Sequence, residues 1–259
     1  MPQNIKLSVV IITFNEEKNI KTCLDSVVSV ADEILVVDSF STDKTAEICE
    51  KYPKVRFLQN AFLGYGNQKQ FATKNAKYDY ILSLDADERL SKNLIIKVLE
   101  LKKEWKASAY YVRRLNRFCG KWIRHGNWYP DYQMRLFDRR LAGWNDAILH
   151  ENVYIYGHEK PTFLKAHILH ETIDSISQHL AKINRFTDLS AEKMFARQEK
   201  ITFYRLYLKP IIKFLEGFIF KLGFLDGFYG FVVAKNSAFS VYLKYAKLRA
   251  LYQKKENET

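Results

Sequence analysis

Cysteine is scarce in this chain of 259 residues: Cys23, Cys49 and Cys119 are three in all, far apart and without a C-x-x-C pair. An odd, scattered set argues against a disulfide framework and against zinc, and it suits a reducing compartment. Cys23 and Cys49 fall on apolar faces of predicted helices, where buried free thiols are expected. No uncharged apolar run reaches the roughly 18 residues of a membrane-spanning helix. Leu7 to Ile12 is too short for the core of a signal peptide and runs straight into Asn15-Glu16-Glu17, so a cytoplasmic location is expected. The dinucleotide fingerprint G-x-G-x-x-G is missing from the first turn, which reads Thr13-Phe14-Asn15-Glu16-Glu17, and the P-loop pattern is absent. Both absences disfavour an NAD-type or P-loop phosphate site. Acids are outnumbered, 29 Asp+Glu against 41 Lys+Arg, giving a formal charge of +12. That balance favours an anionic partner: nucleic acid, a phosphorylated ligand or an acidic membrane surface. Internal repeats and low-complexity tracts are absent, and only Lys254–Thr259 reads as disordered.

What is present begins with Tyr80-Ile-Leu-Ser-Leu-Asp-Ala-Asp-Glu88. An apolar run of this length reads as a buried parallel strand. It stops at Asp85, and Asp87 and Glu88 follow where an open α/β sheet places its ligand crevice. Acids so close repel one another unless a cation sits between them. Hard oxygen ligands favour Mg²⁺ or Mn²⁺, which share their sites with substrate phosphates. The first half alternates strand and helix. Strands are predicted at Leu7–Thr13, Glu33–Val37, Val55–Gln59 and Tyr80–Leu84. Helices follow Asn15 as a cap, Ser41-Thr42-Asp43, the Gly64-Tyr65-Gly66 turn (over Gln68–Ala76) and Ser91. Such alternation implies right-handed crossovers and a Rossmann-like, mostly parallel sheet flanked by helices. From about Ala109 aromatic-rich strands and loops take over, and from Ser175 the pattern is helical. Acids and polar groups close several strands, and Asp38, ending a buried strand, needs a partner. Asn15 and Ser41 also read as capping and turn residues.

The segments LSVVIITFNEEKNI, ILVVDSFSTDKT and ILSLDADE resemble the N-terminal signatures of family 2 nucleotide-sugar glycosyltransferases of the A-type fold. Further segments, GYGNQKQFA, RRLNRFCGKWIRHGNWYPDYQMRLF, LHENV, ILHETI and KLGFLDGFYGF, are similar to the subgroup of lipopolysaccharide inner-core β-1,4-glucosyltransferases. The resemblance runs to about Tyr252. One departure is Phe40, where the family commonly has Gly. The resemblance implies a metal-dependent inverting transferase that moves a sugar, foremost glucose from UDP-glucose, to a lipopolysaccharide-core or other lipid-linked saccharide. It implies a nucleotide-sugar-binding catalytic domain over residues 1–174 and a helical extension over 175–259. Asp38 would bond the uracil or ribose, with Thr13, Asn15 and Glu16 lining the base pocket and Gln68 and Lys69 near the nucleotide or sugar. Asp85 would face the ribose or donor sugar, and Asp87 would ligate Mg²⁺ or Mn²⁺ on the diphosphate. An inverting transfer also needs a carboxylate to take the acceptor's proton. Glu151 is the first candidate and Asp131 the second, the latter expected to organise its loop or touch acceptor. His170, and after it His150, is a candidate diphosphate contact.

Arg113, Arg114, Arg117, Lys121, Arg124 and Arg135 interleave with Tyr111, Phe118, Trp122, Trp128, Tyr129 and Tyr132. They form either a solvated basic loop over packed rings or a surface for an anionic saccharide. Between Ile201 and Glu256 stand ten basic residues against the acids Glu216, Asp226 and Glu256. Leu208, Ile211, Ile212, Leu215, Ile219 and Leu222 give this tail an apolar helical face. Packing on the catalytic domain is one account of that face; the favoured expectation is peripheral binding to anionic lipid at the inner face of the plasma membrane. Two rivals remain: a nucleotidyltransferase, which would show a Gly-rich basic loop after the first strand, and a nucleic-acid-binding module, which leaves the acidic crevice unexplained. Nucleic acid is therefore not expected as a partner.

Overall fold

The computed structural model describes residues 5–145 and 151–257, Thr172 by its backbone alone. The chain begins with β1 (Leu7–Thr13), α1 (Ile20–Val27), β2 (Glu33–Asp38), α2 (Thr45–Cys49), β3 (Val55–Gln59) and α3 (Tyr65–Asn75). It continues with β4 (Tyr80–Asp85), β5 (Glu88–Leu90), α4 (Lys92–Lys103), β6 (Ala109–Phe118), β7 (Lys121–Trp122) and β8 (Asp131–Asp138). Then follow β9 (Ala142–Trp144), β10 (Val153–Ile155), β11 (Thr162–Ile173), α5 (Ile176–Ala196), α6 (Lys209–Leu215) and α7 (Gly227–Asn257). Two compact units emerge. One comprises residues 1–114 and 131–170, the other 115–130 and 171–259. The excursion 115–130 thus groups with the C-terminal residues.

In the first unit β3, β2, β1 and β4 lie side by side and parallel. Every residue of β1 and β2 is buried, as expected of strands covered on both faces. The period of two sorts them. Leu7, Val9 and Ile11 pack with Ile20, Cys23, Leu24 and Val27 of α1, while Val10 and Ile12 pack with Ala72 and Ala76 near α3. The stripe on α1 repeats at the spacing that puts four side chains on one helix face. Beyond β4 the order continues through β8, β6, β11 and β5. Here β8 runs antiparallel to β4 and to β6, and β5 antiparallel to β11. The aromatic-rich half therefore extends the parallel sheet with antiparallel strands.

Two predicted helix starts shift. The residue preceding α1 is Asn19, not Asn15, and α2 begins at Thr45 after Lys44. Asn15 takes a left-handed conformation with φ 54°. Its N–H donates to Ser41 Oγ and its Oδ1 accepts from the Thr42 N–H, each at 2.8 Å. It joins the loops after β1 and β2 instead of capping a helix. Ser91 caps α4 as predicted, its Oγ accepting from the Leu94 N–H at 3.2 Å.

In the second unit α5 and α7 pack around Ala191, Leu206, Tyr245 and Leu248. A smaller core joins Phe118, Ile123, Ile173 and Val233. His179 is buried against the Phe118 and Trp128 rings, and its Nδ1 lies 2.9 Å from Asn236 Nδ2. The carboxylate of Asp226 accepts from the N–H groups of Arg124 and His125. All three cysteines are free, with Cys23 and Cys49 buried as expected. Burial pushes the Cys49 thiol up to about 12.

Candidate active site

Parallel register fixes where the polar strand ends lie. Thr13 pairs with Asp38 and Ile12 with Asp85, so Thr13, Asp38 and Asp85 share one edge of the sheet. The chain then turns through Ala86 and Asp87 to the buried Glu88, whose Oε2 accepts the Asp85 N–H at 3.0 Å. This turn gathers carboxylates at the mouth of the sheet.

Ion pairs of alternating sign hold them. Lys69 on α3 places Nζ 3.0 Å from Asp85 Oδ1 and 3.0 Å from Glu151 Oε1. Arg135 on β8 bonds Asp85 Oδ2 at 3.0 Å and Glu88 Oε1 at 2.9 Å through one nitrogen, Nη2. Arg114 on β6 reaches Glu88 at 3.4 Å and Asp131 at 2.8 Å. The order Glu151, Lys69, Asp85, Arg135, Glu88, Arg114, Asp131 is thus one continuous line, and the two candidate bases are its ends. Lys69 and Arg135 are each 2% exposed, and both lie over the Trp144 ring, at 4.9 and 5.7 Å from its centroid. Burial works against an ionised Asp85, but Lys69 and then Arg135 outweigh it and hold the carboxyl well below its usual range. Burial also disfavours the charged form of Arg135, yet Glu88 and Asp85 raise its proton affinity further. Arg135 Nε and Nη1 and Thr13 Oγ1 are buried without a hydrogen-bond partner among the described residues.

Asp87 stands apart from this line. Its Oδ2 lies 3.1 Å from His170 Nε2 on β11, with the carboxylate part-exposed. Glu16 faces the same crevice: burial first, then the fields of Asp87, Asp43 and Asp85, raise its carboxyl, while Asn19 hydrogen-bonds it and pulls the other way. Asp38 is fully buried and its carboxylate accepts from both the N–H and the hydroxyl of Ser41. Gln68 braces two loops, donating to Ser39 Oγ at 3.1 Å and accepting from Asn60 Nδ2 at 2.8 Å. Asn15, Asp38 and Gln68 therefore shape the crevice through the contacts they already make. No group of three or more His, Cys, Asp or Glu side chains among the described residues is arranged to hold a metal. The pair Asp87–His170 supplies one carboxylate and one imidazole, a set that suits Mn²⁺ better than the all-oxygen preference of Mg²⁺, with waters and substrate phosphate needed to complete the sphere.

Several of the basic and aromatic residues of 111–135 are engaged within the fold. Arg114 and Arg135 turn inward to Glu88, Asp131 and Asp85. Phe118 is buried with Trp128 packed on it, and Lys121 donates to the Asp226 carbonyl at 2.7 Å. Arg117 pairs with Glu171 at 3.1 Å. The inward role of Arg135 had one signal in the sequence: an arginine between Met134 and Leu136 in a strand, in a chain whose buried acids need cations. Glu88 as a buried anchor and Trp144 as a platform had none. His150 lies outside the described residues.

Comparison with known proteins adds an independent line. Residues 8–156 match the family model described as glycosyl transferase family 2. An uncharacterized glycosyltransferase of Rickettsia bellii is 33% identical over 95% of this chain and 87% of its own. The lipopolysaccharide core biosynthesis glycosyltransferase LpsC of Rhizobium meliloti is 30% identical over 96% of this chain and 93% of its own. Among solved structures, S. aureus TarS 1-349 in complex with UDP-GlcNAc aligns with 96% of this chain and 92% of its own, at 16% identity and a TM-score of 0.48.

Proposed function

Because the chain belongs to glycosyl transferase family 2, we propose that it is an inverting, metal-assisted hexosyltransferase. On this reading it takes glucose from UDP-glucose and delivers it to a hydroxyl of a lipid-linked, lipopolysaccharide-core-type saccharide. The observation that carries the reading is the shared ammonium of Lys69, which seats Glu151 beside Asp85 at the carboxyl end of the parallel sheet. The relationship to LpsC supports the acceptor class.

Each residue then has a defined task. Thr13, Asn15, Glu16 and Asp38 line the nucleoside pocket, with Gln68 bracing the loops behind it. Asp85, clamped by Lys69 and Arg135, holds a fixed negative charge toward donor hydroxyls. The unpartnered donors of Arg135 suit an oxygen of the sugar or diphosphate. Asp87 and His170 would hold Mg²⁺ or Mn²⁺, which when bound offsets the charge gathering on the leaving diphosphate. Glu151 accepts the acceptor hydroxyl's proton as the new glycosidic bond forms and the nucleoside diphosphate departs from the opposite face. Asp131, tied by Arg114 and by Gln133 at 2.6 Å, positions its loop.

The test is a thermal-shift and hydrolysis screen of nucleotide sugars with Mn²⁺ and Mg²⁺. The expected outcome is stabilisation by UDP and metal together and slow release of UDP from UDP-glucose. Equal responses to ATP and UDP, or indifference to every nucleotide sugar, would overturn the reading.

A further inference from the structure

The second unit holds its apolar residues outward at one place. The helical stretch Tyr204–Phe220 and the stretch Gly223–Asn257 meet at an angle of 70°. Around this bend Ile219, Phe220, Leu222, Phe224, Leu225 and Phe228 are all exposed, Phe220 by 78% and Phe228 by 66%. Leu208, Ile211 and Ile212 on the first arm are exposed as well. These apolar side chains are thus open to solvent. A contiguous apolar surface of this kind marks an interaction site.

Backbone segments pack closely beneath the bend. A Cβ on Gly230 would collide with the Gly223 carbonyl, and one on Gly223 would press into the Gly217 carbonyl. The Gly126 N–H donates to the Lys221 carbonyl at 2.8 Å, and Asn127 Nδ2 to the Lys213 carbonyl at 3.3 Å. Backbone packed this closely fixes the rings on the outer side.

Charge selects the occupant. Beside the bend lies an open cavity of about 450 Å³ lined by Arg124, His125, Tyr129, Phe220, Lys221 and Leu222. The Arg124 side chain is exposed and makes no hydrogen bond or ion pair among the described residues. The nearby acids are already taken: Lys213 and Lys221 pair with Glu216 at 3.0 and 2.6 Å, and Asp226 is buried on backbone N–H groups. A second copy brings the same surplus of cations, the chain carrying a formal charge of +12. An anionic lipid surface offers apolar depth and the opposite charge together. No single helix among the described residues is long and apolar enough to cross a membrane, and the two stretches that together have the length and composition of a span are bent by 70°.

We propose that this aromatic bend is an in-plane membrane anchor, seated in the interface of an anionic bilayer with a lipid phosphate against Arg124. The anchor belongs to residues 115–130 and 171–259 alone and does not depend on the transferase reading. Lys221 and Lys247 are spent internally, on Glu216 and on Asp188, each at 2.6 Å.

The experiment is flotation of the full chain with vesicles of phosphatidylcholine, with and without phosphatidylglycerol, at low and at molar salt. Wild type should float with the anionic vesicles, less so at high salt, and poorly with the neutral ones. Phe220→Ser with Phe228→Ser should lower partitioning by roughly tenfold or more, with melting temperature and vesicle-free nucleotide-sugar hydrolysis unchanged. Arg124→Gln should sharply reduce the preference for phosphatidylglycerol while leaving residual apolar binding. Failure of wild type to float, or flotation of the double serine variant at the wild-type level, overturns the proposal. So does a concentration-dependent dimer that the serine variant dissolves. Absence of nucleotide-sugar turnover with normal flotation would count against the transferase reading alone.

Discussion

Lys69 and Glu151, 82 positions apart in sequence, meet at 3.0 Å, and the same ammonium grips Asp85. A candidate base oriented by a buried cation cannot drift toward solvent, because Lys69 is itself fixed by helix packing and by Trp144 beneath it. The pairing also sets what removal of each member should do.

Glu151→Gln keeps the shape and a hydrogen-bonding oxygen but removes the proton acceptor. Transfer to the acceptor should fall about 10²- to 10⁴-fold in kcat, with donor affinity and metal response near normal. Asp131→Asn is the control, because its partner Arg114 retains Glu88; it should cost far less in rate. Near-normal transfer by a well-folded Glu151→Gln protein would remove Glu151 from the mechanism.

Metal response should reside in Asp87. Asp87→Asn preserves size while removing the charge a divalent cation needs. Calorimetry should then show UDP binding that no longer depends on Mn²⁺, and donor turnover should drop by orders of magnitude. His170→Gln should weaken the metal response and leave metal-free UDP binding unchanged.

Lys69→Met leaves two carboxylates without their cation. Breaking a buried pair costs about 3–5 kcal/mol; Asp85 and Glu151 keep some solvent, so the lower end is expected. Asp85 is depressed from its ordinary 3.8, and a depressed acid contributes stability above its unfolded value and loses it as pH falls through the folded one. The gap in melting temperature between wild type and Lys69→Met should therefore be full near neutrality and narrow only below 3.8. A gap independent of pH down to acid unfolding would mean that Lys69 acts by packing alone.

His179 should give the second unit a different pH signature. Burial, and after it Lys182, lower its value from 6.5 to about 4. The unfolded chain thus takes up the proton first as pH drops. Stability should decline from 6.5 toward 4 for the wild type, and His179→Gln should flatten that slope in urea unfolding measured across the range.

At Phe40 the chain carries strain. This residue adopts φ 62°, a left-handed conformation that costs a side-chain-bearing residue about 1–2 kcal/mol. Its ring is exposed and gives little back. Phe40→Gly should raise stability by about 0.5–1 kcal/mol after the greater freedom of glycine in the unfolded chain is counted. Phe40→Val should lower it, because a β-branched residue is the poorest fit there. Thermal unfolding of the two variants decides.

The parts legible in the sequence were those governed by nearest neighbours. β1, β3 and the cap at Ser91 follow from unbroken apolar runs and local capping chemistry, and the bounds of β1 and β3 agree to the residue. Asp85, Asp87 and Lys69 could be placed at the crevice because each follows a strand end or a glycine turn. Asn15 could not be read correctly, since its partners Ser41 and Thr42 lie on another loop. The same holds for Arg135 and Glu88, whose pairing depends on β8 and β5 being placed in the extended sheet. The exposed bend of the second unit was visible as composition, but which face stays open depends on glycine contacts between segments.

The line of alternating charges carries an order of events within it. Asp85 and Glu88 leave the ribosome well before Arg114 and Arg135, and Glu151 comes last. A nascent chain that has completed only its four parallel strands holds acids at the sheet edge with one buried cation, Lys69, to answer them. Arrival of β6 and β8 neutralises that edge, and residue 151 closes it. The line of ion pairs is therefore completed only when the later strands and residue 151 have been made.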